Sequence, residues 1–587
     1  MRPKGSSILS GANAADKTGY TKAGNALRLN PRRMRKRLKD KPSSPGDSDI
    51  ALLAWLATCA SVFTFLFYLQ NGEVLLYGDA VAHINIARRV FDSKTPGLLQ
   101  LGTVWLPLPH LLMIPFVISM KMWRTGAGGS IPSIAAYVFG VVGMFRLTRG
   151  AISASNPPDG VARAAAWIAA VIYAANPNLM YMQSTAMGET VYLALFIWSL
   201  VYFSEFMRGD AKALTRCGLC LAGACLTRYD GWFLTAVVMA VVLFQALFSH
   251  KAEENKSRNA IRGELARFML IAAAAPILWF VYNGIVYRNP LEFENGPYSA
   301  KAIELKTQNA ANPGHPGNGN PVTAGVYFLK AAQNNLAANE WVQRGWILLA
   351  IGALILIILS RSESWRSVTR SAWPLLFLLI PVPFYALSIA YGGVPIFVPQ
   401  WWPFSHYNVR YGLQLLPAFC VAMGILVSFA LRGGWNWRLR FASVIALLAF
   451  VLASYSRVWR AGPTCLEEAE INMKTRTQFE IQLSKWLEKL PPDATLLMYL
   501  GDHVGAVQRA GIPLRNTINE GNHRVWKQPT DPDGLWERAL ADPTKYADYV
   551  LAFEGDPVWQ AVHNLPLREL VEIHVTGQAH AVLYRAR

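Results

Sequence analysis

Apolar stretches recur along most of the chain, at roughly residues 50–70, 105–122, 131–148, 161–177, 189–206, 213–228, 231–248, 268–287, 345–360, 372–390, 411–431 and 441–456. Each approaches the roughly 20 residues an α-helix needs to cross a bilayer core. After about residue 461 the pattern changes. "CLEEAEINMKTRTQFEIQLSKWLEKL" has helical spacing, whereas "ATLLMYL", "YVLAF", "LVEIHV" and "HAVLYRA" read as short strands separated by Pro, Gly and Asp. The pattern predicts a polytopic α-helical membrane body over 50–460 and a soluble α/β domain over 461–587, with no internal repeat.

Basic residues orient the body, because Lys/Arg-rich loops stay inside. The segment before 50, "HKAEENKSRNAIRGELAR" (250–267), "RSESWRSVTR" (361–370), "RGGWNWRLR" (432–440), and Arg208, Lys212 and Arg216 are therefore expected on the cytoplasmic side. So is the turn with Arg146, Arg149 and Arg163, which cannot hold if 105–122 and 131–148 both cross. The stretch 105–122 contains Pro107, Pro109 and Pro115, and proline removes helix hydrogen bonds. It reads as a juxtamembrane or re-entrant element, leaving about 11 spans. Residues 71–130, 178–189, 288–344, 391–410 and the C-terminal domain then lie outside.

Composition agrees. The chain is 53% hydrophobic and 16% charged, against about 25% charged in soluble domains, and its 20 Trp and 22 Tyr suit interfacial belts. A net charge of +19 would suit a nucleic-acid binder, but its distribution argues otherwise. Residues 1–49 alone hold 12 Lys/Arg against 4 Asp/Glu, which reads as a disordered basic cytoplasmic tail that can also touch anionic lipid. No nucleic acid is expected as a partner. The basic stretch is too long for the n-region of a cleavable signal peptide. Five of the six Cys lie in apolar runs, so neither a disulfide framework nor the C-x-x-C of "CGLCLAGAC" carries chemistry. There is no P-loop, dinucleotide fingerprint, nucleophile elbow or zinc spacing.

Charge beside a membrane is costly and marks function. In "YGDAVAHINIARRV", Asp79 and His83 fall one turn apart if the stretch is helical. Asp79 could remove a proton from an acceptor hydroxyl, hold a divalent cation (Mg or Mn) with His83, or cap the helix. Glu189 opens a long apolar helix, where it could act as a second acid or simply answer the helix dipole. Arg228 and Asp230 sit in a tight turn, as a structural pair or as contacts to an anionic substrate. His406, Arg410 and Tyr411 lie where the chain re-enters the membrane, and arginine suits phosphate. Tyr298 and Lys301 belong to the loop "YRNPLEFENGPYSAKAI", followed by a linker or flap, "AANPGHPGNGNP". Asp502 and His503 follow a predicted strand, a common ligand position, although capping also suits Asp502.

Together these stretches resemble the GT-C superfamily of polytopic glycosyltransferases, which includes protein O-mannosyltransferases and lipid A aminoarabinose transferases. The resemblance implies that Asp79 is the catalytic acid after the first span and Glu189, after "YAANPNLMYMQSTAM", the second acid. It also implies that "WLPLPHLLMIPF" places His110 near the donor phosphate and that Arg410 contacts lipid phosphate. Two features depart from the family pattern. The first motif has one Asp rather than an Asp-Glu pair, and "LPLPHLL" replaces the usual K/H-P-P-L. The expected protein is a multi-pass plasma (inner) membrane glycosyltransferase, taking sugar from a polyprenyl-phosphate donor to an extracytoplasmic protein, lipid or glycan hydroxyl with inversion. Arg88, Arg89 and His110 join Arg410 as candidates for the phosphate. The rival readings are a flippase for lipid-linked sugars and a non-catalytic scaffold that binds envelope polymer.

Overall fold

A computed structural model describes residues 47–154, 158–248, 255–307, 314–359, 373–432, 434, 436–522 and 533–587. Among them, nine helices are long and apolar enough to cross a membrane. The first, α1 (Asp47–Gln70), has 24 residues and a length of about 36 Å; it turns Trp55, Phe63 and Phe67 outward from the protein. A short helix α2 (Gly78–Arg89) and a ten-residue α3 (Leu108–Val117) follow. At about 15 Å, α3 is half the thickness of a bilayer core, so 105–122 forms no spanning helix, as its prolines imply.

The bundle continues through α4 (Ala127–Ser153), α5 (Asp159–Ala174), α6 (Glu189–Met207), α7 (Ala211–Cys225), α8 (Asp230–Phe248) and α9 (Asn255–Val286). Then come α10 (Pro321–Asn334), α11 (Glu340–Leu359), α12 (Pro381–Tyr391), α13 (Leu416–Arg432) and α14 (Trp437–Ala461). Helix α6 packs between α4 and α7 and buries Leu193, Phe196, Ile197 and Leu200 completely. Asp49 of α1 accepts from Arg163 at 2.6 Å and lies 3.9 Å from Arg149. These contacts bring the start of α1, the end of α4 and the start of α5 to one face, as the charge pattern requires.

Three expectations need correction. Residues 372–390 are not one helix: a 3-10 segment, Trp373–Leu379, precedes α12, because Pro381 and Pro383 interrupt backbone donation there. Likewise 411–431 begins as a 3-10 turn, Val409–Leu415, before α13. The basic stretch 250–267 is largely the start of α9, since Lys, Glu and Arg form helix readily. Residues 1–46 and 361–370 lie outside the described residues, as does the first part of the 310–321 flap. Its remainder is held by His315, whose ring bonds Glu304 at 2.5 Å and the carbonyl of Ile389 at 2.7 Å.

Past α14, Gly462 adopts φ 101, a conformation only glycine takes cheaply, and Pro463 follows it. The chain turns there into α15 (Thr464–Leu487), which packs against the Val409–Leu415 turn. A five-stranded sheet completes the small C-terminal domain: β1 (Leu496–Met498), β2 (Thr517–Ile518), β3 (Tyr549–Phe553), β4 (Arg568–Ile573) and β5 (Ala581–Arg585), ordered β2-β1-β3-β5-β4. β1 runs parallel to β2 and β3, while β5 pairs antiparallel with β3 and β4. β2, two residues long, carries too little pattern to be read from sequence. The domain rests on α2 and the α2–α4 connection: Asn85 donates to Gln508 at 2.7 Å, Gln508 donates to the Trp123 carbonyl at 2.7 Å, and Asp92 accepts from the backbone of Arg515 at 3.2 Å.

Burial raises the Asp556 carboxyl to about 6, against the opposing backbone hydrogen bond from Trp559. A raised acid contributes stability below about pH 4 that is lost as pH rises through about 6. Asp556→Asn keeps the helix cap and removes the buried charge. It is expected to stabilise the C-terminal domain at pH 8 by roughly 1 kcal/mol after allowance for solvent screening, and to change nothing at pH 4. Thermal unfolding at the two pH values checks this.

Candidate active site

The polar centre of the molecule is built around Arg410, carried by the 3-10 turn ahead of α13. That turn lies tight on α10: a Cβ at Gly412 would clash with the Ala332 nitrogen and the Ala331 carbonyl, so only glycine permits the approach. Each arm of the Arg410 guanidinium meets a carboxylate from a different segment. Nη2 donates to Asp79 at 2.5 Å, Nε to Glu189 at 3.1 Å and Nη1 to Glu468 at 2.8 Å. Glu189 and Glu468 are buried, whereas the Asp79 side chain is 38% exposed, which makes it the accessible member of the three.

Asp79 does not cap α2: Tyr77 holds the N-cap position, and Asp79 sits in the first turn. Glu189 is the first residue of α6, as expected, and its Oε2 is buried without a hydrogen-bond partner. The Arg228–Asp230 turn does more than close a hairpin. Arg228 donates to Asp230 at 3.2 Å, to Glu189 at 3.1 Å and to the Tyr385 hydroxyl at 3.1 Å. Tyr385 in turn donates to Asp230 at 3.0 Å, and Gln414 donates to both Tyr385 and Asp230. The Tyr411 ring lies between the two guanidiniums, 4.6 Å from Arg228 and 5.0 Å from Arg410. Tyr77 stacks on Arg410 at 4.9 Å and anchors its own hydroxyl on the Cys465 carbonyl at 2.7 Å.

Beside this cluster, His83 and His110 face each other, Nδ1 to Nε2, at 2.8 Å. Burial lowers the pKa of His83 despite Asp79 and Glu189 nearby. The Nδ1 of His110 is buried and unpartnered, and so is the Nε of Arg89. Desolvation also lowers the pKa of Arg89, with Glu520 and Tyr287 opposing it. Arg89 is only partly buried as a residue, but its Nε is shut off from solvent, and a buried donor without an acceptor is costly.

The other candidates lie apart. Arg88 is committed to the fold, bonded to Asp92 at 2.7 Å and to the carbonyls of Val117 and Ile118. His406 approaches Glu467 at 3.7 Å. Tyr298 is exposed, its hydroxyl 3.4 Å from that of Tyr499, and Lys301 is exposed with its backbone against Gly393. In the sheet domain, Gly501–His503 forms a short 3-10 turn after β1; His503 stacks on Phe553 at 3.5 Å, while the Asp502 side chain lies outside the described residues. A cation on Asp79 and His83 fits poorly: His110 holds one nitrogen of His83 and Arg410 one oxygen of Asp79. Among the described residues there is no cluster of three metal-ligating side chains.

Glu468, Tyr385, Gln414 and Tyr77 were not foreseen. Glu468, about one turn into the first helix past the last span, is masked by the charged residues around it, and Tyr385 and Gln414 by the apolar runs around them.

No family model matches the chain, and no curated protein matches it in sequence. Solved structures do match it in fold. Apo ArnT, the lipid A aminoarabinose transferase of Cupriavidus metallidurans, superposes with a TM-score of 0.50 at 13% identity, covering 90% of this chain and 98% of ArnT. The structure of that protein bound to undecaprenyl phosphate gives 0.48 at 13% identity over the same shares. The Archaeoglobus fulgidus oligosaccharyltransferase, tethered with an acceptor peptide containing the NVT sequon, gives 0.41 at 12% identity, with 86% of this chain and 69% of that one. The chain is a polytopic α-helical membrane protein whose fold is similar to that of GT-C membrane enzymes.

Proposed function

We propose that this protein is an integral-membrane glycosyltransferase that moves a sugar from a polyprenyl-phosphate donor to a hydroxyl on the extracytoplasmic side, with inversion. The observation that carries the reading is the Arg410 clamp with its accessible carboxylate at Asp79; on the same helix His83 bonds His110, whose Nδ1 is buried without a partner, and the Nε of Arg89 is buried without one as well. Acidic and cationic poles next to each other are what a displacement needs at its two ends. ArnT, whose apo form shares this fold, has been seen holding undecaprenyl phosphate, the donor-lipid class the reading requires.

In the proposed step the acceptor hydroxyl meets Asp79, which takes its proton as the oxygen bonds the anomeric carbon. The bond from that carbon to the phosphate oxygen breaks, and the pair of electrons leaves with the polyprenyl phosphate. One displacement inverts the centre. Arg89 and, in the tautomer that carries its proton on Nδ1, His110 receive the phosphate charge, and such preorganised donors are usually the largest catalytic contribution. Glu189 Oε2 accepts from a sugar hydroxyl, while Arg228 and Asp230 fix Glu189. His406, Tyr298 and Lys301 take no part in this step, and membrane lipid surrounds the donor chain. An extracytoplasmic site is supported by Arg146, Arg149 and Arg163, which gather on the opposite face with the start of α1.

Arg89→Gln is expected to weaken binding of undecaprenyl phosphate by about 10–100-fold, the value of a charge-assisted hydrogen bond, and to leave the thermal midpoint unchanged or raised. Titration of the detergent-solubilised protein with undecaprenyl phosphate measures this; equal affinity in the variant removes Arg89 from the donor site. A flippase is distinguished from a transferase by incubation with radiolabelled undecaprenyl-phosphate sugars, since a flippase moves the label without breaking its bond to the lipid.

A further inference from the structure

The C-terminal domain contributes to the site through one side chain. Glu468 is fully buried on α15, about one and a half turns after the Gly462–Pro463 bend. One of its oxygens accepts from Arg410 Nη1 at 2.8 Å, and the other accepts from the backbone N–H of Val409 at 2.6 Å. The same carboxylate therefore fixes the guanidinium and the start of the turn that carries it. Cys465, one turn earlier, holds Tyr77 through its carbonyl and receives Asn178 at its own N–H, 2.8 Å away. The first turns of α15 are thus bonded to the α1–α2 junction, to the segment before α6 and to the Arg410 turn.

Arg410 has three carboxylate partners, and one of them, Asp79, must be free to engage an acceptor. A guanidinium held by Asp79 and Glu189 alone would follow Asp79 when that side chain moves. We propose that Glu468 is a positioning residue: with Glu189 it keeps Arg410 in place while Asp79 exchanges partners, which makes the C-terminal domain a working part of the active site. The inference rests on the glycosyltransferase reading. Glu468 touches no substrate in this scheme and acts only through Arg410 and Val409.

The test uses the full chain in detergent with radiolabelled undecaprenyl-phosphate sugars, comparing wild type, Asp79→Asn, Glu468→Gln, Glu468→Asp, Arg410→Lys and the Glu468→Gln/Arg410→Lys pair. Glu468→Gln keeps the shape and an acceptor for Val409 but loses the charge on Arg410. It is expected to lower kcat by about 10–100-fold, as ångström-scale misplacement does, with the donor KM within about threefold of wild type. Added to Arg410→Lys, it is expected to cost little more, because the two residues act as a unit. Glu468→Asp, which restores the charge, is expected to recover part of kcat. Wild-type kcat in Glu468→Gln, a loss confined to KM, or fully additive losses would overturn the inference while leaving the transferase reading intact. Transfer by no variant and no wild type from any donor would instead sink that reading, and the inference with it.

Discussion

Asp79→Asn is expected to lower sugar transfer by about 10²–10⁴-fold, the usual contribution of a general base, while the protein still folds. The amide can still accept from Arg410 at the position now held at 2.5 Å, but it cannot take a proton from an acceptor hydroxyl. Only 38% of this side chain is exposed, and it lies at the open side of a cluster whose other carboxylates are buried, so the substitution leaves packing nearly untouched. Its thermal midpoint is expected to stay near wild type. Loss of transfer together with loss of folding would assign Asp79 to structure alone, and undiminished transfer would remove it from the chemistry.

Arg410→Leu has the largest expected effect on stability. It strips the cation from Asp79, Glu189 and Glu468, two of which have almost no contact with solvent. Removing one partner of a buried ion pair typically costs 3–5 kcal/mol, because a buried charge is left uncompensated. The sign with pH follows: orphaned buried carboxylates hold protons more readily when folded than when unfolded, so the deficit of the variant grows as pH rises and shrinks as it falls. Thermal unfolding of wild type and variant between pH 5 and pH 8 measures this. A deficit independent of pH would mean that the loss arises from packing of the arginine stem rather than from its charge.

How much of this was legible in the sequence depended on contrast. Asp79, Glu189 and Arg410 stand beside long apolar runs, where a charge is conspicuous, and the structure brings the three together at one guanidinium. Arg228 and Asp230 stood out as well, but two residues of spacing carry no information about Glu189 or Tyr385, which reach them from elsewhere in the chain. Glu468 was hidden for the opposite reason. It sits among Glu467, Glu470 and Lys474 on a helix that reads as an ordinary amphipathic surface, and only the bend at Gly462 turns it inward. Arg88 and Arg89 show the limit of adjacency: neighbours on a helix point about 100° apart, so one became a fold-holding pair with Asp92 while the Nε of the other was left buried and unmet. The proline-broken segment 373–391 reads as one apolar span because hydropathy is blind to backbone geometry.

The most direct test of the account is a transfer assay. Envelope membranes containing the protein and native acceptors are supplied with a panel of radiolabelled undecaprenyl-phosphate sugars, in parallel with membranes carrying Asp79→Asn. The expected result is label leaving the lipid for a non-lipid-phosphate acceptor, from at least one donor, with wild type and not with the variant. Label that stays on undecaprenyl phosphate with every donor, or that transfers equally in both membranes, would contradict it.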